Sequence, residues 1–331
     1  MIISRTPFRV SFFGGGTDYP VWFEANGGAV LSTSIDKYCY ISCRYLPPFF
    51  KHKHRVVYSK IENIVDIDEI RHPAVREILR YFEIEDGLEI HHDGDLPARA
   101  GLGSSSSFTV GLLNALYALK AVMPTKHRLA KEAIHIERNV LREHVGSQDQ
   151  VAVSYGGFNK IIFRKNGQFD VEPVILSESN LNYLQDHMML YFTGLSRIAS
   201  KIAKKQVKQT PKKEKQLMIM RQLVDHAVDL LHSDATIPDF GKLLHETWLL
   251  KKSLTDKISN PRIDEIYEQA RSAGALGGKL LGAGGGGFML FFVKPKDQNK
   301  VRQRLSNLLE VKFNFEHSGS KIILHRDSIS G

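Results

Sequence analysis

The sequence predicts an α+β protein of two domains, and three observations carry that reading. The chain has 331 residues, too long for one ordinary core and suited to two domains of usual size. Strand-like segments separated by glycine turns fill the first 60 residues, and helical spacing begins at Ser104. From Met188 the pattern restarts with a short strand, MMLYFT, followed by helix-like stretches near 195–208, 216–232, 240–258 and 262–273.

Each element has a local cause. IISRTPFRVSFF, GGGTDYP and GAVLSTSIDKYCYISCRYL read as a strand, a turn and a strand, with glycines supplying backbone angles that other residues avoid. After DGDLPARAGLG, Phe108, Leu112, Ala115 and Leu119 recur at helical spacing, so a helix starts in the serine run. Thr125 can cap a second helix, KHRLAKEAIHIERNVL. GGFNKIIFRKNGQFDVEPVIL reads as a hairpin turning at Asn166 and Gly167. In the second half, Asn260 can cap a helix, Pro261 suits its first turn, and Gly274 suits its stop. The lysine-rich stretch around QTPKKEK reads as a loop.

Composition narrows the function classes. A hydrophobic share of 42% and a charged share of 24% match folded globular chains and argue against disordered or fibrous ones. Cys39 and Cys43 share a strand face, roughly 13 Å apart along the strand, far beyond disulfide reach. They read as buried thiols of a reducing compartment. The N-terminus lacks the pattern of a signal peptide, and no apolar run approaches the length of a membrane span, so a cytoplasmic location is expected, with no membrane partner. The net charge of +9 comes largely from KHKHR at 51–55 and from the lysines between 201 and 215. Neither run is interleaved with aromatic residues, so no nucleic-acid partner is expected.

Two glycine clusters carry chemistry. PARAGLGSSSS at 97–107 runs a glycine turn through four hydroxyls into a helix, where backbone N–H groups and the positive helix end make an anion site. It is neither a Walker A loop nor a protein-kinase glycine loop, and its plainer reading is a turn with a redundant cap. KLLGAGGGGFML at 279–290 contains a formal G-x-G-x-x-G match at Gly282, Gly284 and Gly287. A dinucleotide fingerprint must open a helix, whereas FMLFFV reads as a strand, so that reading fails. A glycine loop between two strands instead permits close backbone approach to a ligand, or serves only as a hairpin loop.

Two carboxylates stand between the clusters. Glu137 falls on the apolar face of the helix that starts at Lys126, where a carboxylate costs several kcal/mol unless a cation or donors meet it. It is either paired with Arg138 or Arg142 or serves as a metal ligand. Asp149, in GSQDQ, is a turn residue or a functional one.

In this order TPFRVSFFGGGTDYP, PARAGLGSSSS, the Glu137 to Asp149 spacing and KLLGAGGGGF resemble the motifs of the GHMP kinase superfamily, across nearly the whole chain. Three glycines before Thr17 and Asp18, YFTGLSRIASKI and HETWLLKKSLTDKISNPRIDEIYEQA resemble the branch acting on D-glycero-D-manno-heptose 7-phosphate. The resemblance implies the two-domain GHMP architecture, with a mixed N-terminal ATP-binding domain over 1–183 and a ferredoxin-like domain over 184–331. It also implies ATP and Mg²⁺ as cofactors, a sugar phosphate as partner, and transfer of the γ-phosphoryl group to the anomeric hydroxyl to give the 1,7-bisphosphate. The product would feed a nucleotide-activated heptose for a surface polysaccharide.

Roles follow from the same resemblance. Gly101, Leu102, Gly103, Ser104, Ser105 and Ser106 would cradle the ATP phosphates, with Ser105 joining Glu137 on Mg²⁺. Asp149 would face the acceptor hydroxyl as base or positioner, with Arg9 as its cationic partner. Gly16, Thr17 and Asp18 would bind the sugar, Gly284, Gly285 and Gly286 would shape its site, and Arg197 would take its phosphate. Gly15 and Gly16 stand where galactokinases usually carry Glu-His, which speaks against galactose. Rival readings are a fucokinase-like enzyme for a neutral sugar, a sugar sensor without turnover, and an RNA-binding module.

Overall fold

The computed structural model describes residues 1–98, 100–195, 199–232 and 237–326. In the first part of the chain β1 (Ile2–Phe13), α1 (Pro20–Asn26), β2 (Gly28–Tyr45), β3 (His54–Val57), β4 (Ile61–Ile64), α2 (Pro73–Tyr81) and β5 (Leu88–Gly94) lead to α3 (Ser104–Leu119). There follow α4 (Lys126–His135), α5 (Gln148–Tyr155), β6 (Phe158–Phe163) and β7 (Phe169–Pro173). The second part comprises α6 (Glu178–Asp186), β8 (Met188–Phe192), α7 (Ala199–Gln209), α8 (Glu214–Leu231), α9 (Phe240–Leu254), α10 (Pro261–Ser272), β9 (Ala275–Leu280), β10 (Phe288–Val293), α11 (Gln298–Arg304) and β11 (Leu309–Glu310). Two strands, β12 (Phe315–Glu316) and β13 (Lys321–His325), end the described chain.

β2 organises the first sheet. Its length of 18 residues lets one half pair with β6 and the other with β5, while β1 runs antiparallel along the opposite edge. The order is β13-β1-β2-β5-β3-β4, with β6, β7 and β12 attached through β2. Cys39, Ile41 and Cys43 share the inner face as the alternation predicts, and both cysteines are free and buried. The turn GGGTDYP holds one element that alternation does not signal: Pro20 starts the seven-residue α1, and Gly27, at φ 73°, ends it.

α3 lies across β1 and β2 and is buried without a break from Ser106 to Tyr117. A helix apolar all round suits only such a place. Each fully buried leucine, among them Leu112, Leu113 and Leu116, contributes roughly 1.5–3 kcal/mol. The second sheet, β11-β8-β10-β9, is antiparallel throughout, and α9 and α10 cover it, with Trp248 against Tyr267 and Tyr267 against Phe291. Asn260 caps α10 by accepting from the N–H groups of Arg262 and Ile263, and Thr125 caps α4 by accepting from Arg128. Around QTPKKEK the chain is largely helical, from α7 through a 3₁₀ turn at Thr210–Lys212 into α8.

The two sheets meet at β1. There Lys279 of β9 donates to the Phe12 carbonyl at 2.7 Å, and the glycine loop after β9 reaches the turn before α3. The division at residues 183 and 184 stays a proposal, and β12 and β13 pair within the first sheet. No helix among the described residues is long and apolar enough to cross a membrane.

Candidate active site

The turn before α3 is pinned to β1. The Arg9 N–H donates to the Leu102 carbonyl at 3.0 Å, and the Ser107 hydroxyl donates to the Pro7 carbonyl at 2.9 Å. Gly103, the residue before the helix, sits at φ 77°, and a Cβ there would stand 3.2 Å from Cγ of Arg9, so glycine is required. No side chain caps α3. Its first N–H groups therefore face the space lined by Ser104, Ser105 and Ser106 and form an anion site.

Glu137 enters that space from a change of helical pitch. α4 gives way at Ile136 to a π-turn running to Val140, closed by the Leu141 N–H on the Ile136 carbonyl at 2.8 Å. Such turns occur often at functional sites. The Glu137 carboxylate is buried. Its Oε2 accepts from Gln150 Nε2 at 2.5 Å and from the Ser106 hydroxyl at 3.0 Å, while Oε1 has no partner among the described residues. Burial pushes its pKa up to about 8, and nearby Glu143 adds to this, against the hydrogen bonds from Gln150 and Ser106 and the nearby Thr109 hydroxyl. Neither arginine proposed as its partner forms an ion pair with it; Arg138 instead donates to the Ser147 hydroxyl at 3.4 Å. Ser105, exposed, does not touch Glu137 but lines the same cavity.

Asp149 lies in the first turn of α5. Arg9, itself buried, grips it with two parallel bonds, Nε to Oδ1 at 2.8 Å and Nη2 to Oδ2 at 2.7 Å. Its third donor, Nη1, reaches the Gly101 carbonyl at 2.7 Å. The fork geometry fixes the carboxylate while leaving Asp149 about a quarter exposed, at 26%, toward the cavity.

The sugar-binding candidates divide. Gly16 and Asp18 line the cavity, and the buried Asp18 accepts from the Gly16 N–H at 2.8 Å, with its pKa raised by burial and by Asp149. Thr17 turns the other way: its hydroxyl donates to the Gly14 and Ala29 carbonyls and accepts from the Ala29 N–H, which closes the turn between β1 and α1. Gly284, Gly285 and Gly286 pack against Ile258 and Leu195 and do not line the cavity, whereas Gly282 and Ala283 do. Arg197 and Arg99 lie outside the described residues.

Two lysines of this cavity escape the sequence reading. Lys251 of α9 and Lys279 of β9 are buried and line it beside Arg9, Asp18 and Asp149. Helical spacing holds a signal for Lys251, since Leu244, Thr247, Trp248 and Leu254 mark its face as the buried one. Lys279 has no such signal, because nearly every residue of β9 is buried on both faces.

The cavity, open to solvent on one side, measures about 230 Å³. Among the described residues no group of three or more His, Cys, Asp or Glu could hold a metal ion by itself. A cation that keeps waters and shares phosphate ligands needs only one or two carboxylates, and the orphaned Oε1 of Glu137 fits that requirement.

Family models match both halves of the chain, GHMP kinases N terminal domain over 69–157 and GHMP kinases C terminal over 228–311. The chain is 31% identical over 316 residues to the D-glycero-alpha-D-manno-heptose 7-phosphate kinase of Campylobacter jejuni, covering 91% of this chain and 92% of that one. It is 24% identical to the L-fucokinase/L-fucose-1-P guanylyltransferase of Bacteroides fragilis, spanning 92% of this chain and 36% of that protein. Its fold matches the crystal structure of a D-glycero-D-manno-heptose 1-phosphate kinase from Bacteroides thetaiotaomicron with a TM-score of 0.81 at 23% identity, over 99% of this chain and 100% of that one. With both domains matched and a full-length relative above 30% identity, this chain belongs to the GHMP kinases and is an ATP-dependent sugar kinase, a phosphotransferase with an alcohol group as acceptor.

Proposed function

We propose that this kinase phosphorylates the anomeric hydroxyl of D-glycero-D-manno-heptose 7-phosphate, with Mg²⁺, to give the 1,7-bisphosphate on the way to a nucleotide-activated heptose. The observation that carries the site is the Arg9–Asp149 pair opening onto the same cavity as the uncapped start of α3 and the buried Glu137. The similarity to the heptose 7-phosphate kinase supports the choice of sugar.

In this reading the α3 N-terminus and Ser104–Ser106 hold the donor phosphates. Glu137, through its open Oε1, and the Ser105 hydroxyl hold the magnesium ion, while Ser106 orients the carboxylate from its other oxygen. When bound, the ion neutralises charge on the phosphate oxygens. Asp149 accepts the proton of the sugar hydroxyl, or aligns that hydroxyl, and Arg9 keeps it aimed. Gly16 and Asp18 take sugar hydroxyls. On sequence grounds Thr193, Gly194, Ser196 and Arg197 are the proposed 7-phosphate site, of which Ser196 and Arg197 lie outside the described residues.

A neutral-sugar kinase is the second reading, supported by the fucokinase relative. A coupled assay of ADP release with heptose 7-phosphate, the dephosphorylated heptose and L-fucose separates the two. The proposal expects kcat/KM for the phosphorylated heptose at least 100-fold above the others. Equal use of the two heptoses would favour the neutral-sugar kinase.

A further inference from the structure

Among the described residues Arg9, Lys251 and Lys279 line the central cavity, and their charges are met differently. Arg9 is matched by both oxygens of Asp149, and its remaining Nη1 is on the Gly101 carbonyl, so its charge is compensated within the protein. Lys251 is 5% exposed, and its Nζ donates to the carbonyls of Gly282 at 2.5 Å and Leu280 at 3.2 Å, both neutral acceptors. Lys279 donates to the Phe12 carbonyl. No carboxylate lies within ion-pair distance of either ammonium among the described residues. A buried ammonium held by carbonyls alone costs several kcal/mol until an anion meets it.

Lys251 is the better placed of the two. The carbonyl that holds it belongs to Gly282, whose backbone stands against Gly101 so closely that an added Cβ would lie 2.5 Å from the Gly101 Cα. Gly101 in turn holds Arg9 and starts the turn into α3. One chain of contacts thus ties the Lys251 ammonium to the arginine, the general-base candidate and the phosphate loop. Burial lowers its pKa to about 8, with Arg9 adding to the shift and Asp18 and Asp149 opposing it. Burial, Lys251 and Arg9 push Lys279 well below the ordinary lysine range.

We propose that Lys251 is a catalytic residue whose ammonium contacts the phosphoryl group in transit, supplying the positive charge that Arg9 spends on Asp149. The proposal rests on the kinase activity and not on which sugar is used. In the step concerned, the sugar hydroxyl oxygen forms a bond to the γ-phosphorus, the bond from that phosphorus to the β–γ bridging oxygen breaks, and ADP leaves with those electrons. The hydroxyl proton passes to Asp149. Charge spread over the three equatorial oxygens is greatest in that transition state, where a fixed cation has its largest effect.

The test compares the parent with Lys251→Met and Lys251→Arg on whichever sugar the parent phosphorylates. Lys251→Met is expected to lower kcat at least 100-fold with KM for ATP within threefold, and Lys251→Arg to keep at least tenfold more kcat than Lys251→Met. In the parent, kcat/KM for ATP should fall as pH rises past about 8, when Lys251 of the free enzyme loses its proton in a site it shares with Arg9, Asp18, Glu137, Asp149 and Lys279. The residual activity of Lys251→Met should lack that fall. A kcat within threefold of the parent, or an alkaline fall that persists in Lys251→Met, overturns the proposal. So does a rise confined to KM for a phosphorylated sugar, which would put Lys251 on the acceptor's own phosphate. Should Lys251→Met fail to fold, the parent profile still decides, because a kcat/KM for ATP flat from pH 7 to pH 9.5 contradicts the assignment. A parent that rejects heptose 7-phosphate and uses another sugar refutes the proposed substrate and leaves this comparison intact.

Discussion

The Ser106 hydroxyl donates to Oε2 of Glu137 at 3.0 Å, and the other oxygen of that carboxylate, also buried, has no partner among the described residues. One side of the group is fixed and the other is open, which is how a hard-cation ligand is held ready.

Glu137→Ala should therefore abolish most turnover while the fold survives, since the change removes a costly buried carboxyl. Ser106→Ala should cost roughly 10- to 100-fold in activity or metal affinity, the range usual for a partner that orients a ligand. Titrating activity with Mg²⁺ checks both. Glu137→Ala activity within a factor of two of the parent at saturating Mg²⁺ would remove Glu137 from the metal site.

Protonation of Glu137 also links stability to pH. In the folded chain without metal it keeps its proton up to about pH 8, whereas its ordinary value is 4.5. The folded state thus binds more protons than the unfolded state between those values, and stability falls as pH rises through that window. Thermal melts without Mg²⁺ should show a lower Tm at pH 8.5 than at pH 6, and Glu137→Gln should flatten that dependence. A slope of the same size in Glu137→Gln would assign it to other groups.

Asp149→Asn keeps the shape of the side chain and removes its charge. A loss of roughly 10²- to 10⁴-fold in kcat is expected, which corresponds to about 3 to 5.5 kcal/mol of transition-state stabilisation. Binding of ATP should change little, because Asp149 lies on the acceptor side of the Arg9 fork in the proposed mechanism. Near-normal kcat would leave Asp149 only the work of holding Arg9.

Gly282 tests the join between the two domains. It sits at φ 73° with its backbone against Gly101, so Gly282→Ala meets both a disfavoured conformation and a contact with backbone that cannot swing away. A stability loss of about 1–3 kcal/mol is expected, with a larger proportional loss of activity, since the shift passes to the phosphate loop through Gly101. Denaturant melts and kcat/KM measured on the same variant check this. Unchanged values would mean that the loop relaxes freely.

Much of this was legible before the fold was seen. The period-two pattern placed Cys39, Ile41 and Cys43 on one buried face, the Asn260-Pro261 start marked α10, and FMLFFV after the glycine loop excluded a dinucleotide fold. Helical spacing put Glu137 on a buried face, but no spacing rule foretells the π-turn that aims it or the absence of an arginine partner. Thr17 and Gly284–Gly286 look alike in sequence whether they meet a ligand or close a turn, and the difference lies in which backbone groups surround them. Lys279 was hidden because a strand buried on both faces carries no alternation.

Phosphorus NMR of the product formed from D-glycero-D-manno-heptose 7-phosphate and ATP tests the proposed reaction most directly. The account predicts ADP and a sugar with two phosphate monoesters, the new one coupled to the anomeric proton, with the signal lost in Asp149→Asn under the same conditions. A new phosphate on any other carbon, or no new monoester while another sugar is consumed, would contradict it.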